Sequence, residues 1–153
     1  MHLRILMVGR TGKGPVADLV QDYLGRIRRM ATVEEVVVPE AGTGAPEFQR
    51  KREGERLLEA LRPGERVIAL DEIGRTFTSP AFAAHLVGWR DQGVRGVAFI
   101  IGGAYGLDEP VRQRADLLLS LSAMTFPHQL VRALFAEQLY RAFMIMRGSP
   151  YHH

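Results

Sequence analysis

The sequence contains no cysteine, and that single absence excludes a disulfide scaffold, a thiolate nucleophile and a cysteine-ligated zinc site. Lysine is nearly missing too: of 20 basic residues only Lys13 and Lys51 are lysine, and the rest are arginine. No hydrophobic run approaches the length needed to cross a bilayer. The first apolar segment is only strand-length, broken by Arg4, Gly9 and Arg10, so the expectation is a cytoplasmic chain with no membrane partner. A nucleotide-hydrolysing loop is also lacking. Gly9-Arg10-Thr11-Gly12-Lys13-Gly14 has too few residues between its glycines, and Gly14 stands where a magnesium-binding hydroxyl is required. No Gly-x-Gly-x-x-Gly opens the first helix, which argues against the usual dinucleotide fold.

What is present is enough for one domain, residues 1–153, with 46% hydrophobic residues and a real core. The net charge of +3, carried almost wholly by arginine, favours a phosphate-bearing partner, because guanidinium pairs bidentately with phosphate and stacks on bases. The excess is modest, and spread evenly it would be a solvated face.

Strands are expected at His2–Val8, Val33–Val38, Arg66–Leu70, Val97–Ile101 and Leu117–Leu121, alternating with helices. Pro15–Met30 repeats apolar residues at helical spacing, with Pro15 in the first turn and Asp18 near the positive end. Arg26, Arg28 and Arg29 gather at its far end, where they serve either the helix terminus or RNA phosphates. Glu47–Leu61 suits a surface helix, with Arg52, Glu53, Glu55 and Arg56 on its solvated face. Thr78-Ser79-Pro80 caps a helix through Asp91, in which His85 and Trp89 pack inward. Leu107–Arg114 is a short helix. The alternation predicts an α/β fold with a mostly parallel sheet flanked by helices.

Ligand-binding loops in such sheets follow the carboxyl ends of strands. Two loops stand out here. Ile101-Gly102-Gly103-Ala104-Tyr105-Gly106 keeps the backbone bare, and Ser122-Ala123-Met124-Thr125-Phe126-Pro127 offers hydroxyls, small side chains and one aromatic face. Asp71 and Glu72 end the third strand, but neighbours in extended chain point apart and do not act as a pair. Gln129–Met146 is apolar on most sides, more than one sheet face consumes, which calls for a second copy of the chain. The chain then ends Pro150-Tyr151-His152-His153.

Ile101–Leu107, the run from Leu119 to Arg132, Glu137–Ala142 and the terminal Ser149-Pro150-Tyr151-His152 together resemble the ribosomal RNA large subunit methyltransferase H family of the SPOUT superfamily. The resemblance spans the whole chain, with its sharpest motifs after Ile100. It implies a SPOUT-type α/β knot, in which the C-terminal segment is threaded into a trefoil. It also implies S-adenosylmethionine as cofactor, bound by Leu70, Gly102, Leu121, Ser122, Ala123, Met124, Thr125 and Phe126. The implied reaction is methylation of N3 of pseudouridine 1915, in helix 69 of 23S rRNA on the assembled 70S ribosome, by a homodimer. Tyr151 and His152 would stand beside the substrate, with histidine as base or orienting group, and Arg132 would reach the cofactor carboxylate or an RNA phosphate. His153 departs from the family pattern, which has lysine or arginine there. A second reading from another class is a catalytically silent ribosome-binding module with the same fold.

Overall fold

The computed structural model describes all residues, Met1–His153. Five strands form one sheet: β1 (His2–Val8), β2 (Thr32–Val38), β3 (Arg66–Thr76), β4 (Gly96–Ile101) and β5 (Leu117–Ser120). Their order is β2-β1-β4-β3-β5 and every pairing is parallel. Parallel neighbours need crossovers, supplied by α1 (Pro15–Ile27), α2 (Pro46–Glu59), α3 (Ser79–Asp91) and α4 (Glu109–Arg114), and α5 (His128–Met146) follows the last strand. The central strands are continuous apolar runs because both faces are covered, and Val97–Ile101 is buried throughout.

The two faces are unequal. On one, α1, α3 and α5 pack a large core around Leu3, Ile5, Phe99, Leu86 and Phe135, with Phe99 and Phe135 rings 5.0 Å apart. On the other, α2 and α4 cover Leu6, Val8, Ala98 and Ile100 with Leu57 and Val111. His85 and Trp89 do pack inward, ring centroids 4.6 Å apart, beside Phe77. The cap expected at Thr78 forms: its hydroxyl accepts from the Ala81 amide at 3.2 Å.

Two local departures shape the site. β3 does not stop at Leu70; it bulges between Leu70 and Arg75 and continues to Thr76 beside β5. Gly74 permits this, since a β-carbon there would lie 2.7 Å from the Leu118 carbonyl carbon. Glu53, expected on a solvated face, is buried, and its carboxylate accepts from the Ala41 amide at 3.1 Å. The loop after β2 folds back over α2 and so takes Glu53 from solvent.

Candidate active site

The bulge of β3 and the carboxyl ends of β4 and β5 open into a cavity of about 420 Å³. That size suits a small ligand rather than a macromolecule. Leu70, Gly102, Leu121, Ser122, Met124, Thr125 and Phe126 line it, all expected from the sequence; Ala123 alone among the cofactor positions is not part of the lining.

The lining is pre-organised by short hydrogen bonds. Buried Ser120 donates its hydroxyl to the Ser122 carbonyl at 2.9 Å, and the Ser122 hydroxyl accepts from the Met124 amide at 3.0 Å. Together they fix the loop after β5 as a turn rather than a free tether. Thr125 then donates to Glu72 at 3.2 Å, tying that loop to the β3 bulge. On the opposite wall Gly102 is obligatory for an internal reason: a β-carbon would meet Leu107 Cδ2 at 2.9 Å and the Gly106 backbone at 3.0 Å. The close approach is of the loop to itself, so a side chain at 102 distorts the wall before it meets any ligand.

Asp71 and Glu72 part company as their positions in the chain require. Asp71 accepts from Arg112 at 2.6 Å and from the Ile73 amide at 3.0 Å, and its hydrogen bond raises the Arg112 pKa. Glu72, exposed, has the Thr125 hydroxyl as its one side-chain partner. Both border the cavity, as do Arg112 and His128, none of which the sequence marks as ligand contacts. The bulge that brings Asp71 and Glu72 there depends on Gly74, the one sequence signal available. Burial and then the neighbouring Arg132 charge lower the His128 pKa, so its imidazole is neutral at physiological pH.

Arg132 is placed differently from the expected substrate-reaching role. It is 1% exposed and donates to the Val8 carbonyl at 2.6 Å, the Gly9 carbonyl at 2.9 Å and the Thr11 hydroxyl at 2.9 Å. Burial lowers its pKa. One turn earlier Gln129 accepts from the Gly12 amide at 3.0 Å. The glycine loop after β1 therefore spends its polar groups on the start of α5, which leaves no phosphate cradle there.

Tyr151 and His152 lie along α5. The Tyr151 hydroxyl donates to Glu137 at 3.0 Å and its ring meets Tyr140 edge-on at 4.8 Å. Arg141 joins Glu137 at 2.5 Å and His152 Nδ1 at 3.2 Å. A guanidinium only donates, so Nδ1 accepts and the His152 proton sits on Nε2. Burial, then the Glu137 hydrogen bond, pushes the Tyr151 phenol up to about 12. Neither Tyr151 nor His152 lines the cavity of its own chain: Glu137 and Arg141 hold the tail about 14 to 20 Å along the helix from His128, at 1.5 Å per residue.

Beside the cavity, Leu19, Tyr23, Phe77, Leu130 and Leu134 line an apolar groove of about 490 Å³ between α1, α3 and α5. Leu19, Leu130 and Leu134 are each more than a third exposed, which is costly for a soluble helix face.

Comparison with known proteins agrees along the whole chain. A family model described as a predicted SPOUT methyltransferase matches residues 1–152. A relative from Rhodospirillum centenum, named ribosomal RNA large subunit methyltransferase H, is 47% identical over 99% of both chains. One of the same name from Paramagnetospirillum magneticum is 49% identical, again over 99% of both, and one from Geotalea uraniireducens is 44% identical over 100% of both. Among solved structures, a probable methylase family protein from Haemophilus influenzae superposes with a TM-score of 0.59 at 13% identity, over 99% of this chain and 70% of that one. A probable methyltransferase from Bordetella pertussis gives 0.57 at 18% identity, over 92% and 95%. These two share the fold. The family match over residues 1–152 and the full-length relatives show that the chain belongs to the SPOUT methyltransferases, in the family of ribosomal RNA large subunit methyltransferase H.

Proposed function

We propose that this protein is an S-adenosylmethionine-dependent methyltransferase that modifies N3 of pseudouridine 1915, in helix 69 of 23S rRNA, on the assembled 70S ribosome. The observation that carries the reading is the convergence of Leu70, Gly102 and five of the six residues from Leu121 to Phe126 on one cavity.

The cavity fits the cofactor in kind as well as size. The ordered turn at Ser120–Met124 and the apolar walls of Leu70, Leu121 and Phe126 suit an adenosyl group. Glu72 supplies a negative charge in the lining, complementary to a ligand with a sulfonium and an ammonium. When bound, S-adenosylmethionine supplies an activated methyl group, transferred by in-line displacement. The protein's task is to hold the acceptor nitrogen in line and to ease departure of its proton.

His152 serves that second task as a donor. With its proton on Nε2, the imidazole offers a hydrogen bond to a carbonyl oxygen flanking N3, while Tyr151, its one hydroxyl proton committed to Glu137, fixes the tail in place. Stabilising charge on that oxygen makes the imide more acidic, and the proton passes to solvent. This casts His152 as an orienting group rather than the base. Arg132 acts from behind, docking α5 against the end of β1.

Because each tail stands away from its own cavity, the catalytic unit is a homodimer in which one chain's Tyr151 and His152 face the partner's cavity. The apolar groove of Leu19, Leu130 and Leu134 supplies the surface to be buried. The C-terminal trefoil threading belongs to the same reading, supported by α5 bonding back to the loop after β1. Localisation follows the ribosome, in the cytoplasm.

Mass-spectrometric mapping of 23S rRNA from cells with and without the protein tests this. The expected result is loss of one methyl group at that pseudouridine, restored by adding the protein to 70S ribosomes and not to naked rRNA. Unchanged methylation would overturn it.

A further inference from the structure

The arginines at the end of α1 are not equivalent. Arg26 is engaged by Asp22 at 3.0 Å, and Arg28 by Glu35 at 3.1 Å. Arg29 has no carboxylate within ion-pair reach, and neither has Arg147, which caps α5. Both are exposed. The two helices run side by side, and their carboxyl ends enclose a cleft of about 440 Å³ lined by Asp22, Arg26, Arg29, Tyr140, Met144 and Arg147. Three guanidiniums against one carboxylate leave the cleft strongly positive.

Its floor is ordered. The Arg26 guanidinium sits over the rings of Tyr23 and Tyr140, at 5.2 and 5.4 Å from their centroids, and Tyr140 in turn contacts Tyr151. The cleft is thus continuous with the tail. It adjoins the apolar groove at Tyr23 and extends from there, Met144 being about 15 Å along α5 from Leu134 at 1.5 Å rise per residue.

We propose that this cleft binds phosphates of the RNA strand flanking the target nucleotide, through Arg29 and Arg147, as the strand runs over the tail toward the cavity. The inference rests on the reading above for the identity of the RNA, and on the two free guanidiniums for the contact itself. Arginine is suited to it, because a planar fork meets two phosphate oxygens at once. A structural role exists for the same residues, as cations offsetting the negative ends of two helices. The two roles separate experimentally.

The test is binding of the full-length protein to a fluorescent synthetic helix 69 stem-loop and to 70S ribosomes, as a function of salt. R29Q/R147Q should weaken both by on the order of a hundredfold at low salt, tenfold per lost contact. The slope of log affinity against log salt should flatten by about 1.4 to 1.8 for two lost phosphate contacts. Affinity for S-adenosylmethionine and Tm should stay unchanged, and R29K/R147K should recover most of the salt slope. Wild-type RNA affinity and slope in R29Q/R147Q would overturn the proposal, as would a lowered Tm with RNA binding intact. Failure of the methylation reading shows separately: wild-type protein would methylate no pseudouridine while its RNA affinity still depended on Arg29 and Arg147.

Discussion

Replacing Arg132 with methionine keeps the length of the side chain and removes its hydrogen bonds. The guanidinium is sealed from solvent and reaches the carbonyls of Val8 and Gly9 and the hydroxyl of Thr11. Thr11 recovers water, but the carbonyls are left short of a donor, at about 1–3 kcal/mol each. Part of that is returned, because the charge is buried without a carboxylate and its Nε already lacks a partner. A net loss of about 2–5 kcal/mol follows. For a chain of this size that lowers Tm by roughly 4–20 °C, at 2–4 °C per kcal/mol. Urea and thermal unfolding measure it, with cofactor affinity of the folded fraction determined in parallel. Arg132 as a fold anchor predicts the stability loss, with activity per folded molecule reduced only as far as α5 shifts. Unchanged stability with abolished turnover would refute this and return Arg132 to direct contact with cofactor or substrate.

Gly102→Val should cost the protein its cofactor affinity, at least a hundredfold by calorimetry, because two extra methyl groups join a β-carbon already 3.0 Å from the Gly106 backbone. Undiminished affinity would mean that the loop after β4 is not part of the pocket. Deleting Tyr151–His153 should spare cofactor binding and abolish turnover; mixing that deletion with G102V should then restore activity, because a hybrid dimer retains one intact cavity facing one intact tail. No recovery in verified hybrids would place each site within one chain. A pH effect is expected from His85, whose pKa burial lowers and whose Nε2 has no hydrogen-bond partner. The unfolded chain takes up the proton first, so stability falls as pH drops through the unfolded value of about 6.5 and levels off below the folded one. His85→Leu should flatten that decline in urea titrations at pH 7.5 and 5.5; an equally steep decline would assign it elsewhere.

The sheet and its helices were legible because the strands are short, mostly apolar segments, β4 and β5 most plainly, alternating with helix-length segments such as Pro15–Met30 that carry helical periodicity, signals set by burial alone. The cavity loops were legible for a different reason: glycines after β4 and hydroxyls after β5 are strand-end features that side-chain chemistry singles out. What could not be read depended on long-range partners. The bulge in β3 exists because Gly74 lets β5 approach, and β5 lies more than forty residues on in the chain. Glu53 looks like any surface glutamate until the loop at Ala41 folds over it. The direction of Arg132 and the docking of the tail on Glu137 are likewise set by tertiary neighbours rather than by local spacing.

The central claim is that the β3 bulge and the loops after β4 and β5 form the receptacle for the methyl donor. A crystal structure of the protein grown with S-adenosylmethionine measures this directly. The predicted result is the adenosyl group seated between Leu70, Gly102 and the Leu121–Phe126 turn, with a partner chain's Tyr151 and His152 facing its methyl group. Donor bound elsewhere on the surface, or those loops collapsed onto one another with no room between them, would contradict it.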